Sequence, residues 1–177
     1  MNLSENVWLV QGLGIIGITA SVLSFQCKGH KKLLALRTAN EFFFAMQYIL
    51  LGAYTGAAMN LIGCVRNIVF SKMVEKGKST SFARGVFSVI FLIFAGVTWA
   101  GGKSILVGAA KVLSTVAYGS KNVFFVRVMI FITSVSWFTY NFIVKSYAGC
   151  VCELLTICSI IVGIIRIDIP KLRNKER

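Results

Sequence analysis

Proline, histidine and acidic side chains are what this chain of 177 residues has least of: one proline, one histidine and six Asp plus Glu. The lone proline, Pro170, stands near the C-terminal end, so no upstream segment is broken by a missing backbone N–H. The lone histidine, His30, sits among Lys28, Lys31 and Lys32 and reads as a solvated loop residue. With no second histidine and no carboxylate grouping beside the cysteines, the usual metal-ligand sets are missing, and no metal or cofactor is expected. The same scarcity points away from an enzyme, because Glu41 is the one carboxylate expected at mid-span and acid–base chemistry needs a partner for it. Charge as a whole is sparse at 14%, against 56% hydrophobic residues. A soluble domain of this length cannot hide that much apolar surface, which makes lipid the solvent.

What the chain has instead is long apolar runs. They are continuous rather than alternating, and a backbone in lipid must satisfy its own hydrogen bonds, so bundled helices are expected rather than a closed barrel. Asn6 to Cys27 carries no charge over 22 residues, close to the roughly 20 needed to cross a bilayer. Glu5 precedes it where a signal peptide would be basic, so the run reads as a retained first helix. Charged and turn-rich breaks then give seven spans, at about 6 to 26, 32 to 52, 57 to 72, 84 to 101, 104 to 119, 122 to 144 and 148 to 166. Five cysteines (Cys27, Cys64, Cys150, Cys152 and Cys158) lie in or beside these runs, cannot all pair, and are expected as buried free thiols.

The basic residues orient the scheme. One side holds only Lys103 and Lys145, the other Lys28, Lys31, Lys32, Lys72, Lys76, Lys78, Arg84, Lys121, Arg166, Lys171, Arg173, Lys175 and Arg177. Lys and Arg gather on the cytoplasmic side of membrane proteins, so the N-terminus is expected outside and the C-terminus in the cytoplasm. The net charge of +13 is used up in this asymmetry and in contact with anionic headgroups, and no nucleic-acid partner is expected.

The chain also repeats itself. Val22, Leu23 and Ser24 recur 90 residues later as Val112, Leu113 and Ser114, and Gly29, Lys31 and Arg37 meet Gly119, Lys121 and Arg127 at the same offset. Beyond an insertion the offset is 93, and Tyr54, Gly56, Leu61, Ile68 and Val69 meet Tyr147, Gly149, Leu154, Ile161 and Val162. Residues 1–77 and 103–177 are thus expected as two three-helix units joined by a linker helix over 78–102, the second unit ending in a basic cytoplasmic tail. An odd linker helix makes the units parallel, a 3+1+3 arrangement of the kind that SWEET sugar carriers use.

Gln47 and Tyr48 followed by Ile-Leu-Leu-Gly-Ala-Tyr-Thr-Gly, then Asn60 and Arg66-Asn67, with Ser24-Phe25-Gln26 closing helix 1, resemble the bacterial inner-membrane YgjV family along the whole chain. That family is similar to the SWEET and PQ-loop transporters, which implies an all-α, seven-helix, SWEET-like fold in the inner (plasma) membrane. In SWEET proteins an Asn on the third helix of each unit and an aromatic on the second line the pocket. The resemblance therefore implies a substrate site of Asn60 with Glu153 in the counterpart place, and of Trp137 with Gln47 as its counterpart.

Helical spacing makes the polar residues stripes. Gly14, Gly17, Ser21 and Ser24 share one face of helix 1, and Ser104, Val107, Lys111 and Ser114 the matching face of helix 5. Helix 2 stacks Arg37, Asn40, Glu41, Phe44, Gln47 and Tyr48; helix 6 stacks Arg127, Ile130, Phe131, Ser134, Trp137, Phe138 and Asn141. Asn60, Gly63, Arg66 and Asn67 on helix 3 and Glu153, Thr156 and Ser159 on helix 7 complete a set able to line one cavity. Arg37 and Arg127, near helix ends, are expected to snorkel to the interface. Glu41, Arg66 and Lys111, at mid-span, are expected to form a charge network, structural or coupled to transport, since a central charge costs at least about 2.5 kcal/mol. The function these features favour is a transporter or facilitator of a small polar solute in the lipid bilayer; the alternative is a non-transporting membrane protein that binds anionic lipid or a protein partner. Association as a homo-oligomer is left open by the sequence.

Overall fold

The structure is a computed structural model and describes residues 7–99, 102–143 and 147–170. Among these residues the chain forms seven α-helices: α1 Val7–Gln26, α2 His30–Leu50, α3 Tyr54–Glu75, α4 Ser81–Val97, α5 Gly102–Tyr118, α6 Val123–Ile143 and α7 Tyr147–Gly163. A π-helical turn, Ile164–Asp168, prolongs α7. Each helix packs on the next, α1 closes back against α7, and α3 meets α5. The connections are short, so the chain runs up and down. The turns at 27–29, 76–80 and 119–122 lie at one end of the bundle, here the lysine-rich end. Helix 3 runs three residues longer at each end than its apolar run, because helices carry on past hydrocarbon into polar surroundings. Of the basic residues that set the expected orientation, Lys145, Lys171, Arg173, Lys175 and Arg177, as well as the side chain of Lys103, lie outside what is described.

The polarity of the bundle is inverted relative to a soluble protein. Arg66 and Arg127 are 0% exposed, while Phe82 is 84%, Val97 77% and Phe142 69% exposed. In water such an arrangement would forfeit the hydrophobic effect and strand the charges; in lipid it satisfies both. By length and apolarity α6 and the stretch Ala148–Asp168 can cross a bilayer unaided, while Gly12–Gln26, α4 and Ser104–Tyr118 are shorter apolar helices. The largest apolar cluster includes Phe25, Leu33, Leu34, Phe70, Phe87, Tyr118 and Val126, each within two turns of the lysine-rich end of its helix. The same cluster continues through Met59, Ala95, Val107 and Tyr140 toward the opposite end, so apolar packing runs the height of the bundle beside the polar interior.

His30 departs from expectation. Its Nε2 lies 2.8 Å from the Tyr118 carbonyl oxygen and the ring is buried, because that carbonyl at the end of α5 has no partner in its own helix. The cysteines are all free, but only Cys64 and Cys152 are buried; Cys27 and Cys150 are half-buried and Cys158 is exposed on the apolar exterior.

Candidate functional site

The polar stripes converge. On α1, Gly14, Gly17, Ser21 and Ser24 are buried; on α5, Ser104, Val107, Lys111 and Ser114; on α3, Asn60, Gly63, Arg66 and Asn67. Phe131 breaks the pattern of α6: it is 39% exposed and faces outward, an aromatic ring being as much at home in lipid as in a core.

At mid-bundle these faces form a charge network. Glu41 of α2 accepts a hydrogen bond from Arg66 Nη2 of α3 at 2.9 Å through Oε1. Lys111 Nζ of α5 stands 3.4 Å from the other carboxylate oxygen, an ion-pair distance without an aligned hydrogen bond, because its short bond of 3.0 Å goes to Asn60 Oδ1. Arg66 is saturated by its own neighbours: Asn67 Oδ1 accepts from Nε and Nη2, and the Ser114 and Thr115 hydroxyls accept from Nη1 at 3.1 Å. Gly63 makes the network possible, since a Cβ there would collide with the Glu41 carboxylate. Lys111 also lies 5.3 Å from the centre of the Trp137 ring. Arg66, Glu41 and Lys111 are thus brought together on three helices, with Asn60 and Trp137 at the edge.

Between α2, α3, α5, α6 and α7 this network borders a pocket of about 530 Å³ of empty space, its mouth included. Asn60, Glu153 and Trp137 line it, as do Arg37, Glu41 and Lys111. Tyr48, Asn141 and Gly149, all near the end away from the lysines, stand at one end of it, and the Tyr48 hydroxyl donates to Asn141 Oδ1 at 3.1 Å. Arg37 and Tyr118 lie at the other. Gln47 is not part of the lining. It turns toward α1, where Gly14 leaves room, and its Nε2 donates to the Val10 carbonyl at 3.3 Å.

Neither terminal arginine snorkels. Arg37 turns inward, donating to Ser21 Oγ at 2.8 Å with its guanidinium 5.5 Å from the Phe25 ring centre and 5.8 Å from that of Tyr118. Arg127 is bound at both oxygens of Asp168, at 2.7 and 2.6 Å, and also donates to the carbonyls of Phe25 and Cys27. Those carbonyls belong to the end of α1, where helical partners run out, so the arginine finds inside the bundle what snorkelling would seek outside. Sequence reasoning overlooked Asp168; the signal was there in the offset of 93, which pairs it with Glu75, itself 2.7 Å from Lys31.

Such a chain is an integral membrane protein with a polar, charge-bearing interior and an apolar exterior. It belongs to the Imp-YgjV family of bacterial inner membrane proteins, whose family model matches residues 8–171. No curated protein and no solved structure matches the chain.

Proposed function

We propose that the protein passes a small polar solute across the inner membrane through the pocket between its two three-helix units, the N-terminus lying outside and the C-terminus in the cytoplasm. The observation that carries this reading is a basic and an acidic side chain that face one interior space, each without a counter-ion at ion-pair distance. Among the described residues no base stands within ion-pair distance of Glu153 and no carboxylate within that distance of Arg37, yet both line the pocket. A charge held in a membrane interior without a partner marks a solute or ion path more often than a structural one. The packing supports parallel, SWEET-like units: the offset turns the α1 contact with α7 into the α5 contact with α3, and both are present. In this orientation Tyr48, Asn141 and Gly149 mark the outer end of the pocket and Arg37 and Tyr118 its cytoplasmic end. Glu153 in the place of an asparagine favours a cationic solute or a coupled proton over a neutral sugar.

Uptake into sealed vesicles containing the purified protein, from a panel of amines, amino acids and sugars, tests this. Asn60→Ala and Glu153→Gln should each lower uptake roughly tenfold, the worth of a hydrogen bond to a charged group, without lowering the amount of folded protein. Uptake untouched by both changes would move the site elsewhere.

A further inference from the structure

A second cavity lies apart from the central pocket. It is a crevice between α2 and α3 at the lysine-rich end, about 800 Å³ with its open side included, lined by Leu34, Ala35, Thr38, Asn67 and Ile68 and reaching Lys31, Lys72 and Glu75. Its walls are apolar and its open side continues the lipid-facing surface, where Ile68 is 46% exposed. Its rim is basic: Lys31 and Lys72 border it, Lys32 and Lys76 stand exposed beside them, and Glu75 is the one acid among these, already engaged by Lys31. Deep in the crevice Asn67 is 0% exposed, and because its Oδ1 faces Arg66, its Nδ2 is left buried with no acceptor. A buried amide donor without a partner costs free energy unless an acceptor is brought to it.

We infer that this crevice is a binding site for one anionic phospholipid of the adjoining leaflet, distinct from the solute pocket. The chemistry is that of a lipid in each part. The phosphate and an anionic headgroup meet the lysines at the rim, an acyl chain lies along Leu34, Ala35 and Ile68, and a glycerol ester carbonyl supplies an acceptor at the depth of Asn67. A soluble anion would use the lysines alone and leave the apolar walls and the amide empty; a protein segment would have to leave the bilayer edge to reach them. The Proposed orientation places this leaflet on the cytoplasmic side, where anionic lipid and basic residues attract one another. Asn67 touches both the crevice and Arg66, so an occupied crevice sits one side chain from the charge network of the central pocket.

Native mass spectrometry of the full chain, purified in detergent and supplied with phosphatidylglycerol or phosphatidylcholine of the same chains, tests the site. The expected result is one phosphatidylglycerol retained per chain at detergent levels that strip phosphatidylcholine. Lys31→Gln with Lys72→Gln should weaken that retention roughly thirtyfold, while Lys121→Gln, a surface lysine at the same end, leaves it unchanged. Ala35→Phe, which fills the crevice from an exposed position, should abolish retention with the melting temperature otherwise unaltered. Equal retention of the two lipids, or retention indifferent to both the lysine pair and Ala35→Phe, overturns the proposal. Competition by glycerol phosphate as effective as by the lipid also overturns it, in favour of a small-anion site. None of these readings depends on uptake, so the lipid site and the transport reading stand or fall separately.

Discussion

Glu41 is one carboxylate between two cations, and the residue scale shows how unequal those cations are. Arg66 has Asn67, Ser114 and Thr115 to fall back on, whereas Lys111 has Asn60 and otherwise the faces of aromatic rings. Glu41→Gln should therefore strand Lys111 first, and removing one partner of a buried pair typically costs about 3 to 5 kcal/mol. Adding Lys111→Met to Glu41→Gln should return most of the lost melting temperature, while adding Arg66→Met should not, since it orphans the hydroxyls and the amide around it. Thermal melting of the wild type, Glu41→Gln, Lys111→Met and the two double variants checks this, and simple additivity of Glu41→Gln and Lys111→Met would show that the two groups do not interact. The residues of this network were legible because a mid-span charge must meet another group. Their order of preference was not, because hydroxyls such as that of Thr115 carry no mark in the sequence of what they bond.

Helices bring these groups together only where their backbones come close, and single glycines decide that. Gly63 leaves the space on α3 that the Glu41 carboxylate fills, and its own helix is otherwise regular. Gly63→Ala should force α2 and α3 apart or expel the carboxylate from its place. Loss of folded protein, or a drop in melting temperature where an exposed glycine to alanine change in a helix would raise it, would report it; an unchanged or higher melting temperature would mean the carboxylate has room elsewhere. A glycine of the same kind, Gly163, stands where a Cβ would come within 2.6 Å of the Phe25 carbonyl oxygen and 3.0 Å of Arg127 Nε. At this scale the stripes of α1, α3 and α5 were readable from spacing of 3.6 residues alone, since lipid sorts polar from apolar as sharply as water does, with the sign reversed. Asp168 was not readable that way. Counting in α-helical steps from Cys152, Thr156, Ser159 and Gly163 places it on the lipid side, and only the wider π turn at Ile164–Asp168 swings it in toward Arg127. Gln47 was misplaced for the opposite reason: repeat symmetry paired it with Trp137, while the small Gly14 beside it on α1 drew it out of the pocket.

For the molecule as a whole, the inverted polarity and the lysines at one end make orientation the property most open to test. A reporter fused to the C-terminus should be active on the cytoplasmic side, and protease added from outside should leave the turn at 76–80 uncut; cleavage there would reverse the bundle and with it the leaflet assigned to the lipid crevice. The seven-helix scheme followed from the apolar runs because each run ends in charge or glycine, whereas closure of α1 on α7 depends on contacts more than a hundred residues apart, such as the Ser21 and Thr156 hydroxyls at 2.6 Å, with Arg127 of α6 reaching the Phe25 carbonyl beside the same seam. That seam also sets a schedule. Glu41 leaves the ribosome before either of its bases and can wait as a neutral acid, but Arg127 cannot shed its proton and precedes Asp168 by 41 residues. At roughly 5 to 20 residues per second it spends about two to eight seconds without its carboxylate. Its place one turn inside α6 lets it rest at the membrane surface for that interval, so the helix is free to enter fully only once the π-helical turn at Ile164–Asp168 has been made.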